Sequence, residues 1–103
     1  MSDYVVVWEF WVRAGEEARF EEIYGPQGAW ARLFVADPAY LGTRLLRDVR
    51  EGRRYLTLDF WASQEAYERF REEHDAEYRA IDRECESLTE SEKEIGCVND
   101  AQG

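Results

Sequence analysis

The sequence predicts an α+β fold in which one antiparallel four-stranded sheet carries helices on a single face. Three observations predict it. The chain has 103 residues, the length of one domain with one modest core. Hydrophobic residues make up 45% of it and aromatic residues 15%, too apolar for a disordered chain despite 35% charged residues. Strand-like runs and stretches of helical spacing follow one another in the order β-α-β-β-α-β, the ferredoxin-like plan.

Each element has a local reason. Tyr4–Val12 (YVVVWEFWV) is rich in β-branched and aromatic residues, as a strand buried on both faces should be. Arg13-Ala14-Gly15 ends it. A helix is expected over 16–24, where Phe20, Ile23 and Tyr24 share a face and acids fill the first turn; Gly25-Pro26 stops it. A short second helix over 27–35 places Trp30, Leu33 and Phe34 together, and Asp37-Pro38 marks a turn. Residues 40–49 and 54–61 are strand-like, and the Gly-containing link between them is a hairpin signature. Ser63 then caps a long helix whose stripe runs Ala66, Tyr67, Phe70, His74, Tyr78, Ile81, Cys85, Leu88. A last strand is expected over 94–98, and 99–103 form a polar, frayed tail. There is no internal repeat, so residues 1–103 are expected to be one domain.

Charge and rare residues exclude several functions. Thirteen Lys and Arg against twenty-three Asp and Glu leave a net charge of −10, which repels phosphate backbones and anionic lipid; neither nucleic acid nor membrane is an expected partner. One histidine, His74, and two cysteines, Cys85 and Cys97, supply no multi-His metal site, disulfide framework or four-thiolate zinc site. No metal, haem or flavin is expected. The apolar run at 4–8 has no basic segment before it and Glu9 after it, so neither a secretory signal nor a membrane span is expected, and the cytoplasm is the expected compartment.

Strand alternation sorts the side chains. Tyr4, Val6, Trp8, Phe10 and Val12 share one face of the first strand; Leu56, Leu58 and Phe60 oppose Tyr55, Thr57, Asp59 and Trp61 on the third. The purely apolar sets are expected to meet the helices. On the second strand Leu41, Thr43, Leu45 and Arg47 are the expected helix-side set. The far face would then carry Glu9, Asp59, Asp48 and Arg44 among Trp11, Tyr55, Trp61, Val5 and Val7. A second copy of the chain covering that face would shelter the rings and leave a polar-lined cavity. The structural alternative is a set of satisfied interface ion pairs.

The pattern YVVVWEFWVRAG, EEARFEEIYGPQGAWARLF, YLGTRLLRD and RYLTLDFWASQEAYERF resembles the antibiotic biosynthesis monooxygenase-like (ABM) domains of the dimeric α/β-barrel superfamily. The resemblance covers nearly the whole chain; its most characteristic stretch is Trp61-Ala62-Ser63 followed by Glu65-Ala66-Tyr67 and Phe70. It implies a homodimer of facing sheets. It also implies a cofactor-independent monooxygenase that uses O2 on a small aromatic or polyketide-like molecule beside the sheet, or a non-catalytic ligand-binding or accessory protein of the same fold. On that view Glu9 or Asp59 is the candidate base and Arg44 the candidate oxyanion partner, while Trp11, Trp30, Tyr55 and Trp61 stack the ligand ring. Glu9 and Asp59, if neighbours, would couple, and at least one would titrate above its ordinary value of about 4. The haem-degrading branch of the family relies on a first-strand Asn and a helix Trp, with a His about ten residues later. Here the first strand lacks Asn, Phe70 takes the Trp position and His74 follows one turn on, so haem degradation is not expected.

Other features have plainer readings. His74 is expected to be a half-buried packing residue with one hydrogen-bond partner, and Cys85 a small core residue. Cys97 has only Lys93 as a basic neighbour. Arg44, Arg47, Arg50, Arg53 and Arg54 suggest a solvated hairpin that offsets nearby acids. No phosphate-cradling loop, dinucleotide glycine pattern or nucleophile elbow occurs.

Overall fold

A computed structural model describes residues 3–101. Strand β1 (Tyr4–Val12) leads to helices α1 (Glu17–Tyr24) and α2 (Ala29–Phe34) and then to a hairpin of β2 (Tyr40–Arg47) and β3 (Arg54–Trp61). Helices α3 (Gln64–Glu73) and α4 (Asp75–Cys85) follow, then a 3-10 turn over Glu86–Leu88 and strand β4 (Thr89–Asn99). All neighbouring strands are antiparallel in the order β2-β3-β1-β4, with the helices on one face. This is the expected ferredoxin-like α+β plan.

Local chemistry accounts for the limits of the elements. The Ser63 hydroxyl accepts a 3.1 Å hydrogen bond from the Ala66 N–H, capping α3, and Glu65 favours its positive end. The single long helix expected after Ser63 is two helices, because His74 (φ −116°, ψ 28°) leaves the helical region between α3 and α4. The apolar stripe survives the break. Leu88, expected on the same helix, is buried in the 3-10 turn, and β4 starts five residues earlier than expected, at Thr89. Asn99 belongs to that strand; residues 102–103 of the expected tail lie outside the described residues.

The facing of β3 is the main correction. Directly opposed residues of paired strands share a face, and Val6 opposes Asp59, Trp8 opposes Thr57 and Phe10 opposes Tyr55. Tyr55, Thr57, Asp59 and Trp61 therefore face the helices, while Leu56, Leu58 and Phe60 face away. The reason is that the helix layer is built from rings. Trp61, 0% exposed, packs against Phe34, Tyr67 and Phe70 at centroid distances of 5.5, 5.4 and 5.1 Å. Tyr55, 1% exposed, lies 4.9 Å from Phe20, and its hydroxyl donates to Glu21. On β2 Thr43, Leu45 and Arg47 take the helix side as expected. Leu41 does not: it is the extra residue of a bulge between Tyr40 and Gly42 and is 53% exposed.

The outer face of the sheet is consequently more apolar than expected. Val5, Val7 and Trp11 of β1 stand beside Leu56, Leu58 and Phe60 of β3. Three of its charges pair with one another. Arg54 Nε donates to Glu9 Oε2 at 2.7 Å and its Nη1 to Asp48 Oδ2 at 2.9 Å.

Candidate functional site

The helix layer stands off the sheet between α2, α4 and the strand centres, leaving a cleft. Trp8 and Phe10 of β1 and Thr57 and Asp59 of β3 form its sheet side; Trp30, Phe34, Tyr78 and Asp82 form its helix side, and Tyr24 and Glu92 complete it. The space is small, about 40 Å³, enough for about three water molecules. Small Thr57 between larger neighbours helps to create it.

Asp59 is the distinctive group. Its Oδ1 accepts a 2.7 Å hydrogen bond from the Thr43 hydroxyl, and Thr43 Oγ1 lies 2.5 Å from Tyr40 Oη. Since Thr43 gives its single proton to Asp59, Tyr40 is the donor to Thr43. Burial withdraws the carboxyl from water and pushes its pKa up to about 6; the Thr43 hydrogen bond opposes that shift only in part. Burial likewise raises the Tyr78 and Tyr24 phenols. The Glu92 carboxyl is raised by burial first and then by Asp82 and Glu86.

The expected site is only partly brought together. Of its residues, Asp59 and Trp30 line the cleft. Glu9 lies on the opposite face of the sheet in the Arg54 ion pair, so Glu9 and Asp59 are not neighbours and the expected coupling has no geometric basis. The error came from the apolar-set rule, which turned β3 around. Arg44 is exposed on the outer side of edge strand β2, away from the cleft, and Arg54 takes the place expected for it beside Glu9 and Asp48. Trp11 is on that outer face, while Tyr55 and Trp61 are core residues.

Tyr40, Thr43, Tyr78, Asp82 and Glu92 were not among the expected site residues. A signal for the first two existed, namely two hydroxyl residues opposite the Asp59 end of β3, but using it required knowing the bulge. His74 stacks on Phe70 at 4.5 Å and its Nδ1 lies 3.0 Å from Glu77 Oε2, a half-buried packing residue as read. Two more of the hairpin arginines have partners: Arg47 bonds Gly52 O and Glu21, and Arg53 bonds Val12 O and Glu90. Cys85 is buried, and the exposed Cys97 donates to Glu94, with its thiol pushed up by burial.

A ferredoxin-like sheet with an aromatic cleft under its helices and a sequestered carboxylate defines a class of small α+β proteins. Within that class, the sequence matches the antibiotic biosynthesis monooxygenase model over residues 3–83, and the chain belongs to this ABM family. Solved structures share the fold. SnoaB, a cofactor-independent oxygenase from Streptomyces nogalater, is 21% identical with a TM-score of 0.69, covering 100% of this chain and 97% of its own. A Bordetella bronchiseptica protein classed with the antibiotic biosynthesis monooxygenases is 24% identical with a TM-score of 0.69, over 97% and 96% of the two chains. A NIPSNAP family protein from Agrobacterium tumefaciens is 14% identical with a TM-score of 0.67, over 93% and 90%. No protein of curated function matches the sequence. No helix among the described residues is long and apolar enough to cross a membrane.

Proposed function

We propose that the chain is a cofactor-independent monooxygenase acting with O2 on a small phenolic or polyketide-like molecule held in the cleft. The single observation that carries this reading is Asp59: a carboxylate in an aromatic cleft, with a pKa near 6 and a hydroxyl chain behind it. At neutral pH it is ionised yet about two units more basic than an ordinary aspartate. It takes a proton from an activated methylene or phenol of the substrate. The substrate anion passes an electron to O2, the radicals combine to a peroxide, and loss of water leaves a carbonyl. A methylene and O2 thus become a carbonyl and water, with no further reductant. Once Asp59 holds the proton, the Thr43 and Tyr40 hydroxyls turn to donate outward and supply a path by which it leaves, and Trp8, Trp30 and Tyr78 sandwich the ring.

The test is oxygen uptake with hydroxylated aromatics chosen by thermal shift. Consumption of one O2 per substrate, without added metal or flavin, is expected; binding without turnover at any pH would overturn the catalytic reading. The size of the cleft favours a second reading, a non-catalytic ligand-binding or accessory protein, because admitting a ring requires half-buried Trp8 and Tyr78 to move.

The protein acts as a homodimer in this proposal, its copies meeting through the outer sheet face. Leu56, Leu58 and Phe60 there gain from burial, while the Glu9–Arg54–Asp48 group enters the interface already paired, so none of the three is buried as a lone charge. Light scattering should give about twice the chain mass of 12.2 kDa. Leu58→Glu should halve it without unfolding the chain. A monomeric parent at micromolar concentration would refute the dimer. The cytoplasm remains the proposed compartment.

A further inference from the structure

Three carboxylates line the cleft and no basic side chain does: Asp59 from β3, Asp82 from α4 and Glu92 from β4. None of them enters an ion pair among the described residues. Glu92 is exposed and Asp82 half-buried, so these two form the outer rim, near enough for Asp82 to shift Glu92. Between rim and floor stand aromatic rings, whose faces are electrostatically negative and attract cations. Tyr78 already shows this. The Arg71 guanidinium sits 3.7 Å from its ring centroid, outside the lining, and also donates to Tyr67 Oη at 3.2 Å. That cation lies on Tyr78 from outside the lining, with its Nε buried and without a partner.

A metal ion does not suit the space. Among the described residues no group of three or more His, Cys, Asp or Glu converges where one could be held. One polar group of the cleft lining is left over as well. Trp30, 9% exposed, has its Nε1 buried beside the Tyr24 hydroxyl and the Cys85 thiol without a completed hydrogen bond.

We infer that the cleft selects an aromatic ligand carrying a protonated amine, with the ammonium at Asp82 and Glu92 and the ring among Trp8, Trp30 and Tyr78. This selectivity rests on the cleft being the binding site, as proposed above. An anionic ligand meets the opposite field, from the rim and from a chain with a net charge of −10.

Three phenols of one shape and different charge test it by calorimetry at neutral pH: tyramine, para-ethylphenol and para-hydroxyphenylpropionate. Tyramine should bind about tenfold more tightly than the neutral phenol, and the propionate least. Raising the ionic strength from about 0.05 to about 0.5 M should narrow the preference. Asp82→Asn combined with Glu92→Gln should bring the three within about threefold of one another. If the ethylphenol or the propionate binds the parent protein as tightly as tyramine, the selectivity is wrong while the cleft stands as a phenol site. If a folded double variant keeps the tenfold preference, the rim is not its source and the inference fails. If none of the three binds at millimolar concentration, the reading of the cleft as a binding site fails, and the inference with it.

Discussion

Trp61→Ala should cost about 3–5 kcal/mol, a large part of the roughly 5–15 kcal/mol that holds a domain together. Trp61 is fully buried where β3 meets α2 and α3, and four rings, Phe34, Tyr40, Tyr67 and Phe70, lie against it. Removing the indole opens a void between layers that the sheet and helix backbones cannot both close. Urea denaturation should show a much lower midpoint with an unchanged slope. The loss should be independent of protein concentration. Had Trp61 faced a second copy of the chain, dilution would deepen the effect. A loss under about 1 kcal/mol would place Trp61 outside the core packing described here.

Asp59→Asn should abolish most oxygen turnover, by about a hundredfold or more if Asp59 is the base, and it should also stabilise the protein at neutral pH. The fold raises the Asp59 pKa from 3.8 to about 6, so folding favours the protonated acid. The stability this contributes is fully present below about pH 4 and is lost as pH rises through about 6. Ionised Asp59 therefore costs the native state of the order of 2–3 kcal/mol above that range, and the amide does not ionise. Thermal melts of parent and variant should nearly coincide at about pH 4 and separate above about pH 6, with the variant higher. Equal melts throughout would mean that Asp59 is well solvated; a variant that keeps full turnover would remove the candidate base. Turnover of the parent should rise through about pH 6 as the carboxyl ionises.

How far the sequence was legible differs from element to element. The bounds of β1 and β3 were readable because β-branched and aromatic runs stop at unambiguous breakers, and the Ser63 cap was readable because its hydroxyl acts locally. Which side of β3 faces inward was not. A period of two separates residues into two sets without saying which set meets the helices. With Tyr55 and Trp61 in one set and three large aliphatics or rings in the other, both were fit for burial. The polar members Thr57 and Asp59 tipped the reading outward, although they mark the floor of an internal cleft. The break at His74 was hidden because no Gly or Pro signals it and the apolar stripe continues across it. Asp82 and Glu92 belong to α4 and β4 and meet Asp59 only through tertiary packing, so no spacing along the chain could unite them.

The bulge on β2 shows how backbone pairing alone can write a site. Were Leu41 paired as an ordinary strand residue, strict alternation would set positions 40 and 43 on opposite sides of the sheet, and Tyr40 could not reach the hydroxyl that serves Asp59. Gly42 makes the detour possible, since its φ of 139° is a conformation that residues with a Cβ rarely adopt, although nothing nearby would crowd a side chain there. Ironing out the bulge, far from any reacting atom, would therefore take Tyr40 off the proton wire while every residue named in it remained in the gene; deleting Leu41 would not, because Tyr40 would then stand two residues before Thr43 and keep its side. A relative of this protein could carry the same tyrosine, threonine and aspartate at the same spacing and still lack the wire, for want of the bulge.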